Sequence, residues 1–158
     1  MAKPSRRRGA KDGEIRSRPT LQAFIICERV DTHQDGVHSL YRVVDRFNLR
    51  MQWRGPEGIP LPPLPAVPVN YVLFARFGAG VGRFMISFEL FDPDGNSLQN
   101  TPDDWFWLRT REQSHNVIVS VSMPVTKSGP YKWVVRLDGE PAGEYVFTTQ
   151  LETFASSV

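Results

Sequence analysis

Residues Gly129 to Phe147 read Gly-Pro-Tyr-Lys-Trp-Val-Val-Arg-Leu-Asp-Gly-Glu-Pro-Ala-Gly-Glu-Tyr-Val-Phe. Tyr131, Trp133, Val135 and Leu137 recur at every second position and alternate with Lys132, Arg136 and Asp138. Tyr145, Phe147 and Leu151 then alternate with Glu144, Thr148 and Gln150. A period of two places one set of side chains on one face of a pleated strand, so each run reads as a half-buried strand. Asp138-Gly139 between them is the dipeptide that a tight hairpin turn favours.

The same period recurs upstream. Phe84, Ile86, Phe88 and Leu90 alternate with Arg83, Ser87 and Glu89, and Val117, Val119, Val121 and Met123 alternate with Asn116, Ser120 and Ser122. Val67 to Phe77 and Val37 to Phe47 each carry one apolar face. Leu21 to Val30 is apolar on both faces at its centre, as a well-covered strand is. Trp105 to Leu108 reads as a short eighth strand or an aromatic plug. No segment keeps a helical period, and Asp35-Gly36, Asp92-Pro93-Asp94-Gly95 and Ser128-Gly129-Pro130 supply turns between runs. The fold expected is all-β, a two-sheet antiparallel sandwich of 7–8 strands, immunoglobulin-like or C2-like with Greek-key connections.

Residues 20–152 hold this pattern. Within them, 55–68 contains Pro56, Pro60, Pro62, Pro63, Pro65 and Pro68, which argues for an extended crossover and against a central strand. Residues 1–19 contain seven basic groups, Lys3, Arg6, Arg7, Arg8, Lys11, Arg16 and Arg18, against Asp12 and Glu14. With almost nothing apolar to bury, this segment is expected to be a disordered basic arm. The rest of the chain has 12 basic and 15 acidic residues, so the small overall charge of +2 hides a basic arm on a mildly acidic body. Residues 153–158 read as a C-terminal tail.

The opening strand Leu21 to Glu28, the hairpin into Ser39-Leu40-Tyr41-Arg42-Val43-Val44-Asp45, the turn Phe91 to Gly95, and Gly129 to Gly139 closing on Gly143 to Phe147 together carry a resemblance. In order and spacing, Leu21 to Leu151 resembles a family of small bacterial and phage-borne proteins classed as a domain of unknown function. The resemblance implies a β-sandwich and supplies no activity, cofactor or catalytic residue.

Candidate chemistry is sparse. Cys27, the one cysteine, sits in the apolar run Ala23 to Cys27 and reads as a small buried hydrophobe. A lone cysteine forms no internal disulfide, and no apolar run reaches the length of a membrane span, so a cytoplasmic location is expected. Asp92, Asp94, Asp103 and Asp104 would form a calcium site of C2-like type if the fold brings them together. The loop Asp31 to His38 offers Asp31, His33, Asp35 and His38, but its twelfth position is Arg42, where a calcium loop of the EF-hand type needs glutamate. Phe77 to Gly82 is glycine-rich but joins two strands, whereas a dinucleotide site needs a helix there. Leu61-Pro62-Pro63-Leu64-Pro65 has the outline of a polyproline ligand. Trp105, Phe106 and Trp107 are candidate interface aromatics. The basic arm is a candidate for sequence-independent polyanion contact, nucleic acid included. The function expected is a non-enzymatic binding or structural assembly module, self-associating or bound to a protein partner, with no cofactor. The alternatives are a C2-like metal- or ligand-binding domain and an enzyme using His33, His38 or His115 as base.

Overall fold

The computed structural model describes residues 16–53 and 65–155. Among the described residues ten strands follow one another: β1 Thr20–Thr32, β2 His38–Val43, β3 Arg46–Trp53, β4 Val67–Gly78, β5 Gly82–Phe91, β6 Ser97–Asn100, β7 Asp104–Leu108, β8 Ser114–Val125, β9 Gly129–Leu137 and β10 Glu140–Ala155. They form two sheets. One has the order β2-β1-β4-β8, and the other runs β3-β10-β9-β5, with β6 and β7 in line along the remaining edge of β5. Among the described residues no helix is long and apolar enough to cross a membrane.

The alternating runs become the two inner faces. Tyr71, Leu73, Ala75 and Phe77 of β4 and Val117, Val121 and Met123 of β8 meet Phe84, Ile86, Phe88 and Leu90 of β5 and Tyr131, Trp133, Val135 and Leu137 of β9. Apolar burial of this kind dominates folding energetics, at about 1.5–3 kcal/mol per large side chain. Trp133 and Tyr71 pair their polar atoms within the core, whereas the buried Thr149 Oγ1 has no hydrogen-bond partner among the described residues. The Trp133 indole N–H donates to Tyr71 Oη at 2.7 Å, and the Tyr71 hydroxyl lies 3.4 Å from Met123 Sδ. Burial raises the Tyr71 phenol pKa against the opposing effect of the Trp133 hydrogen bond. Asp138 and Gly139 both take positive φ, 53° and 82°, as the expected hairpin turn requires.

Ten strands replace the expected seven or eight, for two reasons. Val37 to Phe47 is not one strand: β2 ends at Val43 and β3 begins at Arg46, in the other sheet. The bend between them is tied to both sheets, because Val44 N–H donates to Ile26 O at 2.8 Å and Tyr145 Oη donates to Val44 O at 2.9 Å. Ser97–Asn100 adds a strand too short for its alternation to be read. The crossing also breaks the all-antiparallel expectation. β3 lies parallel to β10, from Arg46 opposite Thr148 to Trp53 opposite Ala155.

The domain is wider than 20–152. Ser17 pairs with Val81 through two backbone hydrogen bonds of 2.9 and 3.0 Å, and β10 continues through Thr153–Ala155 along β3. Pro68 lies in β4 rather than in a crossover, and most of the proline-dense segment lies outside the described residues. Its place in β4 has a physical reason. β1 accompanies β4 only as far as Val72, so among the described residues no strand pairs with that side of residues 67–71, and a missing N–H there breaks no ladder bond.

The β1–β2 hairpin does not continue flat. His38 is opposite Thr32, and Phe74 is opposite Ile25, seven residues away along β1. A straight strand would hold them about 23 Å apart. The His38 and Phe74 rings are 5.9 Å apart, so the hairpin folds back over the outer face of the four-stranded sheet. That cover explains why Cys27 and Phe74 are buried although neither belongs to the sandwich core.

Candidate binding surface on β7

Asp104-Trp105-Phe106-Trp107-Leu108 alternates faces as a strand must. Phe106 and Leu108 enter the core, and Trp105 and Trp107 point out, 51% and 55% exposed. The three aromatics therefore split. Phe106 is not an interface residue: it stacks on Phe77 at 5.3 Å and on His115 at 5.0 Å. Among the described residues β7 pairs only with β5, placing Trp107 opposite Arg83 and Trp105 opposite Met85.

Arginines cap the two exposed rings. The Arg83 guanidinium lies 4.6 Å from the Trp105 ring centre, and Arg109 lies 4.8 Å from that of Trp107. At exposed sites such contacts contribute about 0.5–1 kcal/mol each. They hold four large side chains in one layer. Backbone geometry supports it: Asp104 Oδ1 accepts the Trp105 N–H at 2.7 Å, and Gln113 Oε1 accepts the Arg109 N–H at 2.6 Å, closing the bend after the strand. Beneath the layer, Arg16 lies 4.8 Å over Phe84, donates to Arg83 O at 3.1 Å and pairs with Asp138. Arg16 is thus engaged by the domain, while Lys3, Arg6, Arg7, Arg8 and Lys11 lie outside the described residues.

The four aspartates do not converge. Asp104 is opposite Ile86, six residues before Asp92 on the same side of the molecule, a span of about 20 Å along β5. Asp92 is a turn clasp. Its Oδ1 accepts the N–H groups of Asp94 and Asn96, both at 2.9 Å, and its Oδ2 meets Lys127 Nζ at 3.0 Å. Lys127 also pairs with Asp94. Burial works to raise the Asp92 pKa, but the Asn96 N–H, the Lys127 ammonium, the Asn96 amide and the Asp94 N–H outweigh it and hold the carboxyl at about 2. A lysine ammonium thus occupies the charge position that a calcium ion would take. Among the described residues no three His, Cys, Asp or Glu side chains form a group that could hold a metal.

The histidines are divided between the two faces of the four-stranded sheet. His38 lies over the outer face with Nδ1 3.0 Å from Thr32 Oγ1, and His115 stacks on Phe106 at the inner face, where burial lowers its pKa. His33 Nε2 is 2.8 Å from Ser39 Oγ, a nucleophile–base pair in outline. It sits exposed beside the hairpin turn, and no carboxylate among the described residues hydrogen-bonds the imidazole to orient it. Asp35 Oδ1 instead accepts the Val37 N–H at 3.1 Å, an ordinary turn contact. The glycine-rich loop joins β4 to β5 directly, with Ala79 at φ 59° and no helix.

An opening that periodicity could not reveal lies where β1 leaves β4. Glu28, Arg42, Asn70 and Tyr71 line a cleft of about 360 Å³, and Glu28 and Arg42 form a 3.1 Å ion pair across it. Arg42 holds φ 53°, a left-handed value uncommon for a residue with a side chain. No family model matches the chain, and no curated protein matches it.

Proposed function

We propose that this chain is a non-enzymatic binding module built on an immunoglobulin-like sandwich, and that the Trp105–Trp107 layer on β7 is its contact surface. Strand order supports the fold type. The neighbours β1-β4-β8 and β10-β9-β5 correspond to A-B-E and G-F-C of an immunoglobulin domain, with β6 and β7 beside β5 in the position of C′. Tyr131 supports it as well. Near the start of β9 its hydroxyl donates to Lys127 O at 3.1 Å, four residues upstream, in the manner of a tyrosine corner. Trp133, two residues on, stands where antibody domains carry a cysteine.

The observation that carries the functional reading is the exposure of two tryptophans, each in contact with an arginine, on an edge strand. Tryptophan and arginine are the residue types that most often dominate binding energy at protein interfaces. Stacking against the arginines narrows the freedom of the rings, which lowers the ordering cost of binding. The partner expected is another protein, engaged through this aromatic face. Capture from extract of the native host, with the intact chain and with a Trp105→Ala/Trp107→Ala variant side by side, tests this. Loss of the captured protein from the double variant supports the surface, and equal capture by both refutes it.

A further inference from the structure

Each sheet of a sandwich ends in edge strands whose outward N–H and C=O groups invite another strand, and folded proteins blunt such edges with charge, brevity, bulges or proline. Three of the edges here are blunted. β2 is six residues long and folds back with its hairpin, β3 carries Arg46 and Arg50, and β6 and β7 are four and five residues long. β8 is not. Ser-His-Asn-Val-Ile-Val-Ser-Val-Ser-Met-Pro-Val runs twelve residues without an Asp, Glu, Lys or Arg, and its register with β4 is unbroken from Ser114 to Val125.

The two prolines reveal which backbone groups are free. Pro124 is opposite Pro68. Neither has an N–H, so this pair occupies a non-hydrogen-bonded site of the antiparallel ladder. Pair types alternate, and the unbroken register carries the alternation along the strand. Odd residues from His115 to Val125 exchange hydrogen bonds with β4. Ser114, Asn116, Ile118, Ser120 and Ser122 aim N–H and C=O away from it, and among the described residues no strand receives them.

We propose that this edge pairs with the same edge of a second copy of the chain, antiparallel about a two-fold axis at Val119, joining two four-stranded sheets into one of eight strands. Several features select a second copy. The strand is neutral, so self-pairing opposes no like charges, whereas a charged strand would find no counter-charge on it. Inner and outer faces must continue across the join, which pairs even residues only with even ones. With Val119 on the axis, Ile118 meets the copy's Ser120 and Asn116 meets its Ser122, so every central pair has both donors and proline is excluded from the middle. Val119 is only partly buried while Val117 and Val121 beside it are buried, and the axis would cover it with its own copy. Ile118, 39% exposed, gains a neighbour on the outer face. Such an isologous contact closes at two copies.

Light scattering over a concentration series of the full chain tests the pairing. The mass should rise from 18.0 kDa toward twice that value. Ser120→Pro removes a donor that β4 does not use, so it should leave a folded monomer whose melting temperature does not depend on concentration, and Ile118→Lys should give the same result by charge. Under mild oxidation Val119→Cys should close a disulfide between copies, because facing residues of a non-hydrogen-bonded pair lie about 4.5 Å apart at Cα. Ser120→Cys should not. A monomer at every concentration refutes the pairing, as does a dimer unaffected by Ser120→Pro and Ile118→Lys. A disulfide at 120 rather than 119 refutes the axis. The Trp105→Ala/Trp107→Ala variant should dimerise normally, so failure here and failure of the β7 surface are separately visible.

Discussion

β7 and β8 are edge strands of different sheets that meet at one corner, where the Phe106 and His115 rings stack 5.0 Å apart. They treat the same exposed backbone differently. β7 is five residues long, and its outer side chains are two tryptophans under arginines. β8 is twelve residues long and uncharged, and its one proline, next to last, stands at a pair that needs no donor. A short edge offers few hydrogen bonds, so recognition there must come from side chains. A long flat edge offers backbone pairing first, and the serines along it add little that discriminates. This contrast is why selective contact is proposed for β7 and self-pairing for β8.

The largest expected effect separates neighbours within β7. Phe106→Ala should destabilise the chain by about 3–5 kcal/mol through the cavity it leaves. Trp105→Ala and Trp107→Ala should each stay within about 1 kcal/mol, the loss of one exposed cation–π contact. Urea titration measures all three, and a comparable loss from either tryptophan would mean that the outer layer is part of the folding core.

Next comes a pair of prolines in β8. Val119→Pro removes an N–H that β4 uses and leaves the Leu73 carbonyl without its donor, a cost of about 1–3 kcal/mol. Ser120→Pro carries similar strain in φ without that loss. Thermal melts at dilute concentration should therefore rank Val119→Pro well below Ser120→Pro. Equal losses would contradict the alternation deduced from Pro68 and Pro124.

Acid should weaken β8 and the turn between β5 and β6 over different ranges. His115 has a lowered folded pKa, so its contribution is present above its ordinary 6.5 and is lost as the pH falls through the lower folded value. Asp92 is likewise depressed, to about 2 from 3.8, so its contribution is present above about pH 4 and disappears between there and pH 2. Melting temperatures from pH 7 to 3 should show His115→Gln flattening the upper part of the decline and Asp92→Asn the lower part. If Asp92→Asn leaves the acid limb unchanged, the Lys127 clasp contributes nothing to stability.

Strand faces were legible wherever charged or small polar residues alternated with large apolar ones, as in Phe84 to Leu90 and Tyr131 to Leu137. The burial of Cys27 was legible too, although its cover, a hairpin folded over the outer face, was not. Local patterns carry no information about where a strand bends. Val43 to Asp45 reads as continuous because its side chains suit a strand, and only the hydrogen bonds to Ile26 and from Tyr145 turn it into a passage between sheets. The aspartate group failed for a related reason. Asp92 and Asp104 are near in sequence, but β6 and the residues after it run back along β5 and carry Asp104 away. Alternation itself assigns Phe106 to the core once its neighbours are known to face out.

The self-pairing edge is the central claim, and amide hydrogen exchange followed residue by residue at two protein concentrations tests it most directly. At high dilution Val117, Val119, Val121 and Met123 should be protected, while Asn116, Ile118, Ser120 and Ser122 exchange freely. At high concentration the second set should become protected as well. Free exchange of those even-numbered amides at every concentration, or their protection even at the highest dilution, would contradict it.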